Sequence, residues 1–196
     1  IPEGSKYFDV LLYSADNGSH TAKTISGLSF SPDWVWCKNR SRTNRHALFD
    51  TLRGVTKRIR SDGNDTEVAD SDTLTSFNSD GFSIGADVGE FGVNADDGSN
   101  FVAWCWNAGG STATNNDGSI SSQVRANQTA GFSIVTYTGT GNNATVGHGL
   151  GVKPTFVILK RRSGGDSDWM TFIDNNLGNT KNTRLNLEDS PFTTSN

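Results

Sequence analysis

Pro32-Asp33-Trp34-Val35-Trp36-Cys37-Lys38-Asn39-Arg40 is the stretch that decides the fold, because it returns as Pro154-Thr155-Phe156-Val157-Ile158-Leu159-Lys160-Arg161-Arg162. Both versions start at a proline, run through five mostly apolar or aromatic residues and leave through a basic cluster. A Gly-Leu pair lies upstream of each, Gly27-Leu28 and Gly149-Leu150. An apolar run this short, bounded by turn residues, reads as a strand covered on both faces. Trp34 and Trp36 are exchanged for Phe156 and Ile158 in the second version. That exchange keeps bulk and loses indole chemistry, so the run reads as packed core and not as a ligand platform.

The repetition extends outward. Tyr7 to Ser14 matches Gly131 to Thr138, with Phe8 on Phe132, Val10 on Ile134 and Tyr13 on Tyr137. Further on, Asp50 matches Asp174, Gly54 matches Gly178, and Thr56-Lys57 matches Thr180-Lys181. The spacing is 124 residues at the ends of this alignment and 122 around the opening stretch. Small changes of that kind belong in loops, so the pattern is that of an internal duplication. The first copy runs from Tyr7 to Trp106. The second, from Phe132 to Asn196, has no counterpart of the Leu74–Gly85 hairpin or of the Asn100–Trp106 strand. The expected organisation is a first sandwich over 1–107, a linker with a candidate short strand over 108–130, and a second, incomplete sandwich over 131–196. Either the polypeptide continues past Asn196 or a neighbouring subunit completes the second copy.

Composition supports the class. Of 196 residues, 22 are Gly, one is Met, 19% are charged and 10% aromatic. Few helix formers and many turn, β-branched and aromatic residues favour an all-β protein. Apolar or alternating segments recur at roughly ten-residue spacing, with turn chemistry at Asp16-Asn17-Gly18, Arg53-Gly54 and Ser79-Asp80-Gly81 between them. The fold class expected is tandem antiparallel β-sandwiches of jelly-roll or concanavalin A-like type, the second copy truncated. The net charge of −4 exerts no general pull toward nucleic acid or an anionic membrane. No apolar run approaches the ~20 residues of a membrane span.

Chemistry is sparse. The closest acidic pairs, Asp96/Asp97 and Asp166/Asp168, sit in Gly/Ser/Asn-rich loops where Asp forms turns, so no catalytic pair is expected. No cofactor is expected. Calcium is the residual candidate, at Asn94–Gly98 and Asp62–Asp65, against the plainer reading of solvated turns. Cys37 and Cys105 read as buried free thiols, with a disulfide left open. Trp169 is the one aromatic placed to stack on a glycan; otherwise it packs at a strand start. Arg40, Arg42, Arg45, Lys57, Arg58 and Arg60 form a local basic cluster. It can pair with the acidic loops 62–72 and 87–97 within the chain, or contact another subunit. Trp34, Trp104 and Trp106 read as core.

Several long segments resemble one family. They are Phe30 to Trp36, Leu48 to Lys57, Thr73 to Phe82, Phe101 to Gly110, Ala130 to Gly139 and Val146 to Gly151. The chain is similar to the repeated domain of unknown function in virion-associated, tail-fibre-like (lectin- or glucanase-like) proteins of marine tailed bacteriophages, often cyanophages. The resemblance covers nearly all of the chain and brings no catalytic residues with it. It implies an assembled phage particle or appendage and leaves the molecular role open; the role expected is that of a non-enzymatic structural protein on the virion, with copies of itself or other virion proteins as partners. A glycan-binding receptor-recognition module, engaging a host surface glycan, is the alternative. A polysaccharide-degrading enzyme is the third reading.

Overall fold

Alternation along β3 (Trp34–Asn39) sets the architecture: Val35, Cys37 and Asn39 are buried, and Trp34, Trp36 and Lys38 are half-buried on the opposite face. The structure is a computed structural model, and it describes residues 3–15, 21–87, 92–95, 98–174, 181–188, 190 and 192–193. The expected turn at Asp16-Asn17-Gly18, the acidic pair Asp96/Asp97 and the Gly178 match lie outside these residues.

The fold is all-β, in several antiparallel sheets; among the described residues there is no α-helix, only a short 3-10 turn at Gly4–Lys6. β1 (Phe8–Ser14), β3, β4 (Ala47–Asp50) and β9 (Asn100–Trp106) form one sheet in the order β1-β9-β3-β4. β9 therefore inserts between β1 and β3. Trp106 lies opposite both Phe8 and Trp34, and Trp104 opposite both Val10 and Trp36. A second sheet, in the order β2-β8-β7, is built from β2 (Lys23–Ser26), β7 (Leu74–Asn78) and β8 (Gly81–Ile84). The Ser79-Asp80 turn closes the β7–β8 hairpin as its sequence predicts.

The core lies between these two sheets. Val35, Cys37, Phe49, Ala103 and Cys105 from the first meet Ile25, Leu74, Phe82 and Ile84 from the second. Two layers burying one apolar face each is the sandwich solution. Tyr13 closes one end, stacked on Phe101 with ring centroids 5.1 Å apart and donating its hydroxyl to the Val93 carbonyl at 2.8 Å. Cys37 and Cys105 are free and buried. Burial pushes the Cys37 thiol up to about 12, so it is held as an unreactive thiol.

Gly81 sits where β8 crosses closest to β2. A Cβ there would run into the Ile25 carbonyl, which is backbone and cannot swing aside. Gly81→Ala is expected to cost about 1–3 kcal/mol through overpacking, read as a lowered urea midpoint at unchanged slope.

Asp87 is buried, and its carboxylate accepts the Val93 amide at 2.7 Å. Burial pushes its carboxyl up from 3.8 to about 6. The folded protein therefore holds this proton more tightly than the unfolded chain, and stability falls as pH rises from about 4 to about 6. Above that window the whole penalty is present. Asp87→Asn keeps an acceptor without the charge, so it is expected to stabilise the protein by about 1–3 kcal/mol at pH 7 and by little at pH 4. Paired denaturant titrations at the two pH values check this.

The remaining strands belong mostly to the second repeat. β10 (Ala113–Asn115), β11 (Ser122–Asn127) and β12 (Phe132–Tyr137) form a three-stranded sheet. The stretch 108–130 is thus more than a linker: it supplies two strands, and β11 pairs with β12 along its full length. β13 (Phe156–Leu159), β14 (Met170–Ile173), β15 (Lys181–Arg184) and β16 (Phe192–Thr193) form a four-stranded sheet. β5 (Lys57–Arg58) and β6 (Val68–Ala69) make a two-stranded ribbon beside β4.

Two local pairings are alike, with one shift. Trp34 pairs with Asp50 in the first repeat, and Phe156 with Ile173 in the second. Thr51 donates its amide to Asp33, and Asp174 donates its amide to Thr155. Asp174 therefore stands where Thr51 stands, one position away from its sequence match Asp50. The strand pairing follows side-chain faces, and a one-residue slip would turn every face over.

Candidate functional site

The outer face of the β1-β9-β3-β4 sheet is aromatic. Trp34 and Trp36 stack at 6.4 Å, Trp34 and Trp106 lie 5.3 Å apart, and Phe8 lies 4.8 Å from Trp106. The pattern follows from the strand period. When Val35, Cys37, Ala103 and Cys105 point inward, Trp34, Trp36, Trp104 and Trp106 must point outward. The expectation that Trp34, Trp104 and Trp106 are core needs correcting: they are half-buried and belong to the opposite face. Trp36 donates its indole N–H to His46 Nδ1 at 2.8 Å. Burial lowers the basicity of His46, which keeps that nitrogen an acceptor.

The second repeat packs on this face. Phe132 stacks on Trp34 at 5.6 Å and on Trp106 at 6.0 Å. Leu48, Ile59 and Trp169 form a buried cluster that Trp34, Trp36 and Ile158 pack against. Arg125 on β11 reaches Asp33 at the start of β3, with Nε to Oδ1 at 2.7 Å. Asp33 also accepts the Ala108 amide at 2.8 Å and the Thr51 hydroxyl at 3.2 Å. Burial raises its carboxyl, and these partners oppose that shift.

Between the aromatic face, β12 and β13 lies a cavity of about 690 Å³. Trp34, Trp36 and Trp106 are on one wall, and residues 131–137 and 154–160 on the others. Its lining is largely apolar, with Asp50, Arg53, His148, Lys160 and Arg162 at its polar positions. The charged groups are engaged with one another or with backbone. Arg53 is the hub. It pairs with Asp50, reaches Glu67 at 3.3 Å, and donates to the carbonyls of Lys57 at 2.8 Å and Leu48 at 3.0 Å. Arg162 takes the same Glu67 in a two-pronged contact at 2.9 and 3.0 Å. Burial alone would raise the Glu67 carboxyl; its bonds to Arg162 and Arg53 hold it below the usual range. Lys160 donates to the Ser167 carbonyl at 2.6 Å and the Asn64 carbonyl at 2.9 Å.

Trp169 is only 6% exposed, and its indole N–H is spent on the Arg60 carbonyl at 2.7 Å. This corrects the expectation of a glycan-stacking ring. The strand-start position was right, but the first repeat lies over the ring. Among the basic residues, Arg45 pairs with Asp62 at 3.6 Å, Arg58 with Asp70 at 3.5 Å and Arg60 with Asp65. The acidic loop 62–72 thus answers these three within the chain. Lys57 lies in β5, and Arg40 and Arg42 are exposed at the end of β3 and the loop after it. The loop Asp62–Asp65 spends two carboxylates on arginines. Among the described residues no three His, Cys, Asp or Glu converge as metal ligands. Asp168 is bonded by Asn186 at 2.9 Å and Arg184 at 3.1 Å, and these bonds lower its carboxyl.

Sequence reading missed Arg53, Glu67 and Arg162. Each looks like an ordinary surface charge in its own segment. The only hint is that Arg53 follows the fully buried strand Ala47–Asp50 by a single turn.

The chain belongs to the family described as Domain of unknown function (DUF7483), whose model matches residues 3–196. No curated protein and no solved structure matches it.

Proposed function

We propose that this DUF7483-family chain is a non-enzymatic structural module that assembles through β-rich contacts with other subunits, as part of a phage virion or appendage. One observation carries the reading: β13 exposes apolar residues at positions whose matches on β3 are buried. Phe156 is 52% exposed on β13, and Val157, Leu159, Tyr137 and Ile173 are also exposed. Val35 and Cys37, the matches of Val157 and Leu159, are buried in the sandwich core. Contiguous apolar exposure beside open strand edges is the signature of a surface meant to be covered. The virion setting rests on the family resemblance of the segments quoted above.

Sedimentation over a hundredfold concentration range, with negative-stain imaging, tests this. The expected result is concentration-dependent assembly, alone or with other virion proteins. A chain that stays monomeric throughout and adds to no virion protein would sink it. The wall of Trp34, Trp36 and Trp106 favours glycan binding as the second reading, since indole faces suit sugar rings. Glycan-array binding that is lost on Trp36→Ala would put that reading first.

A further inference from the structure

The internal duplication says what is missing from the cavity. In the first repeat, β1 and β3 are not neighbours. β9 lies between them, with Trp106 opposite Phe8 and Trp34, Trp104 opposite Val10 and Trp36, and Val102 opposite Leu12 and Lys38. In the second repeat β12 stands for β1, and β13 for β3. β12 is the last strand of its sheet and β13 the first of another, and among the described residues no strand is paired between them. Both edges border the same cavity. Carrying the register across matches Phe132 with Phe156, Ile134 with Ile158 and Thr136 with Lys160, as Phe8, Val10 and Leu12 match Trp34, Trp36 and Lys38 across β9.

We infer that this slot takes a single extended strand donated by another polypeptide, antiparallel to both β12 and β13, with the chemistry of Asn100-Phe101-Val102-Ala103-Trp104-Cys105-Trp106. The source of the strand, though not the slot, rests on the assembly reading. A peptide strand fits because each open edge presents a row of backbone donors and acceptors, and only another backbone satisfies two such rows at once. The slot is also continuous with an interface already formed. Its floor is the Trp34 and Trp106 face that Phe132 stacks on and Ile158 packs against. Bulky side chains at alternate positions of the donated strand would extend that contact. Asp174 donates to Thr155, so residues 155, 157 and 159 bond toward β14. By antiparallel alternation the amides of Phe156 and Ile158 point into the slot.

The test uses the 196-residue chain and a synthetic peptide of sequence NFVAWCW with lysine tails. The expected result is saturable one-to-one binding, with at least tenfold slower hydrogen exchange at Phe156, Ile158 and the free edge of β12. N-methylating alternate peptide amides should weaken binding at least tenfold. Phe156→Pro should do the same, because it removes one slot-facing N–H and leaves the β14 ladder whole. The inference is overturned if the peptide does not bind, if the N-methylated peptide binds equally well, or if the slot amides are already protected in the chain alone. Assembly seen by sedimentation while the peptide is ignored sinks the slot and leaves the assembly reading standing. Peptide insertion into a chain that joins no other subunit sinks the assembly reading and supports the slot.

Discussion

Arg53→Ala is expected to lower stability by about 3–5 kcal/mol, the range for breaking a buried ion pair from one side. Its side chain is 6% exposed and serves Asp50, Glu67 and two backbone carbonyls. Removing it leaves the buried Asp50 carboxylate without its guanidinium, leaves Glu67 with Arg162 alone, and leaves the Leu48 and Lys57 carbonyls short of a donor. Arg53→Lys should recover only part of the loss, because an ammonium cannot reproduce the planar fork that reaches several acceptors. Chemical denaturation reads both effects. A loss under 1 kcal/mol for Arg53→Ala would mean that water replaces the guanidinium at no cost.

The same network gives a pH signature. Glu67 is held below its ordinary value, so its contribution is present above about pH 4.5 and is lost as pH falls through the folded value. Asp87 acts with the opposite sign, since its penalty grows from about pH 4 to about pH 6. Arg53→Ala should therefore flatten part of the acid limb of the stability profile, the Arg162 contact keeping the rest, whereas Asp87→Asn should flatten the rise in penalty between pH 4 and 6.

Trp169→Ala is expected to cost about 3–5 kcal/mol, combining lost burial, a cavity beside Leu48 and Ile59, and an Arg60 carbonyl without its donor. Trp169→Phe fills much of the space and still leaves that carbonyl unpaired, so a loss of about 1–3 kcal/mol is expected. The damage should be local. Trp169 precedes β14, and its carbonyl accepts the Leu185 amide at 3.1 Å just past β15. Hydrogen exchange should accelerate in β13, β14 and β15 well before it does in β3 or β9. Uniform acceleration across the molecule would mean that the repeats unfold as one unit and that the ring is no local clamp.

Much of the strand inventory was legible in the sequence, for identifiable reasons. Trp34–Lys38, Leu74–Asn78, Gly81–Ile84 and Asn100–Trp106 are short, apolar and bounded by turn residues, and each is a strand within a residue or so. The Ser79-Asp80 turn declares itself because its chemistry is local. β10 and β11 were harder. Their Thr, Asn, Gln and Arg content resembles a loop, and they become strands because β12 offers an edge to β11 and β11 offers one to β10. The charge network was invisible for a related reason. Arg53, Glu67 and Arg162 are far apart along the chain, and each alone looks solvated.

From the sequence alone come the all-β class, most strands and the self-similarity of residues 7–57 and 131–181. All of these rest on period, turn chemistry and self-similarity, which act between near neighbours or within one chain copy. Tertiary structure alone decided which face of each strand mattered. A period of two says that Trp34 and Val35 face opposite ways, but not which faces the core. The β2-β8-β7 sheet covers Val35, and the second repeat only partly covers Trp34. The burial of Trp169, the insertion of β9 between β1 and β3, and the open slot between β12 and β13 are likewise set by contacts between residues distant in sequence, for which no local pattern codes.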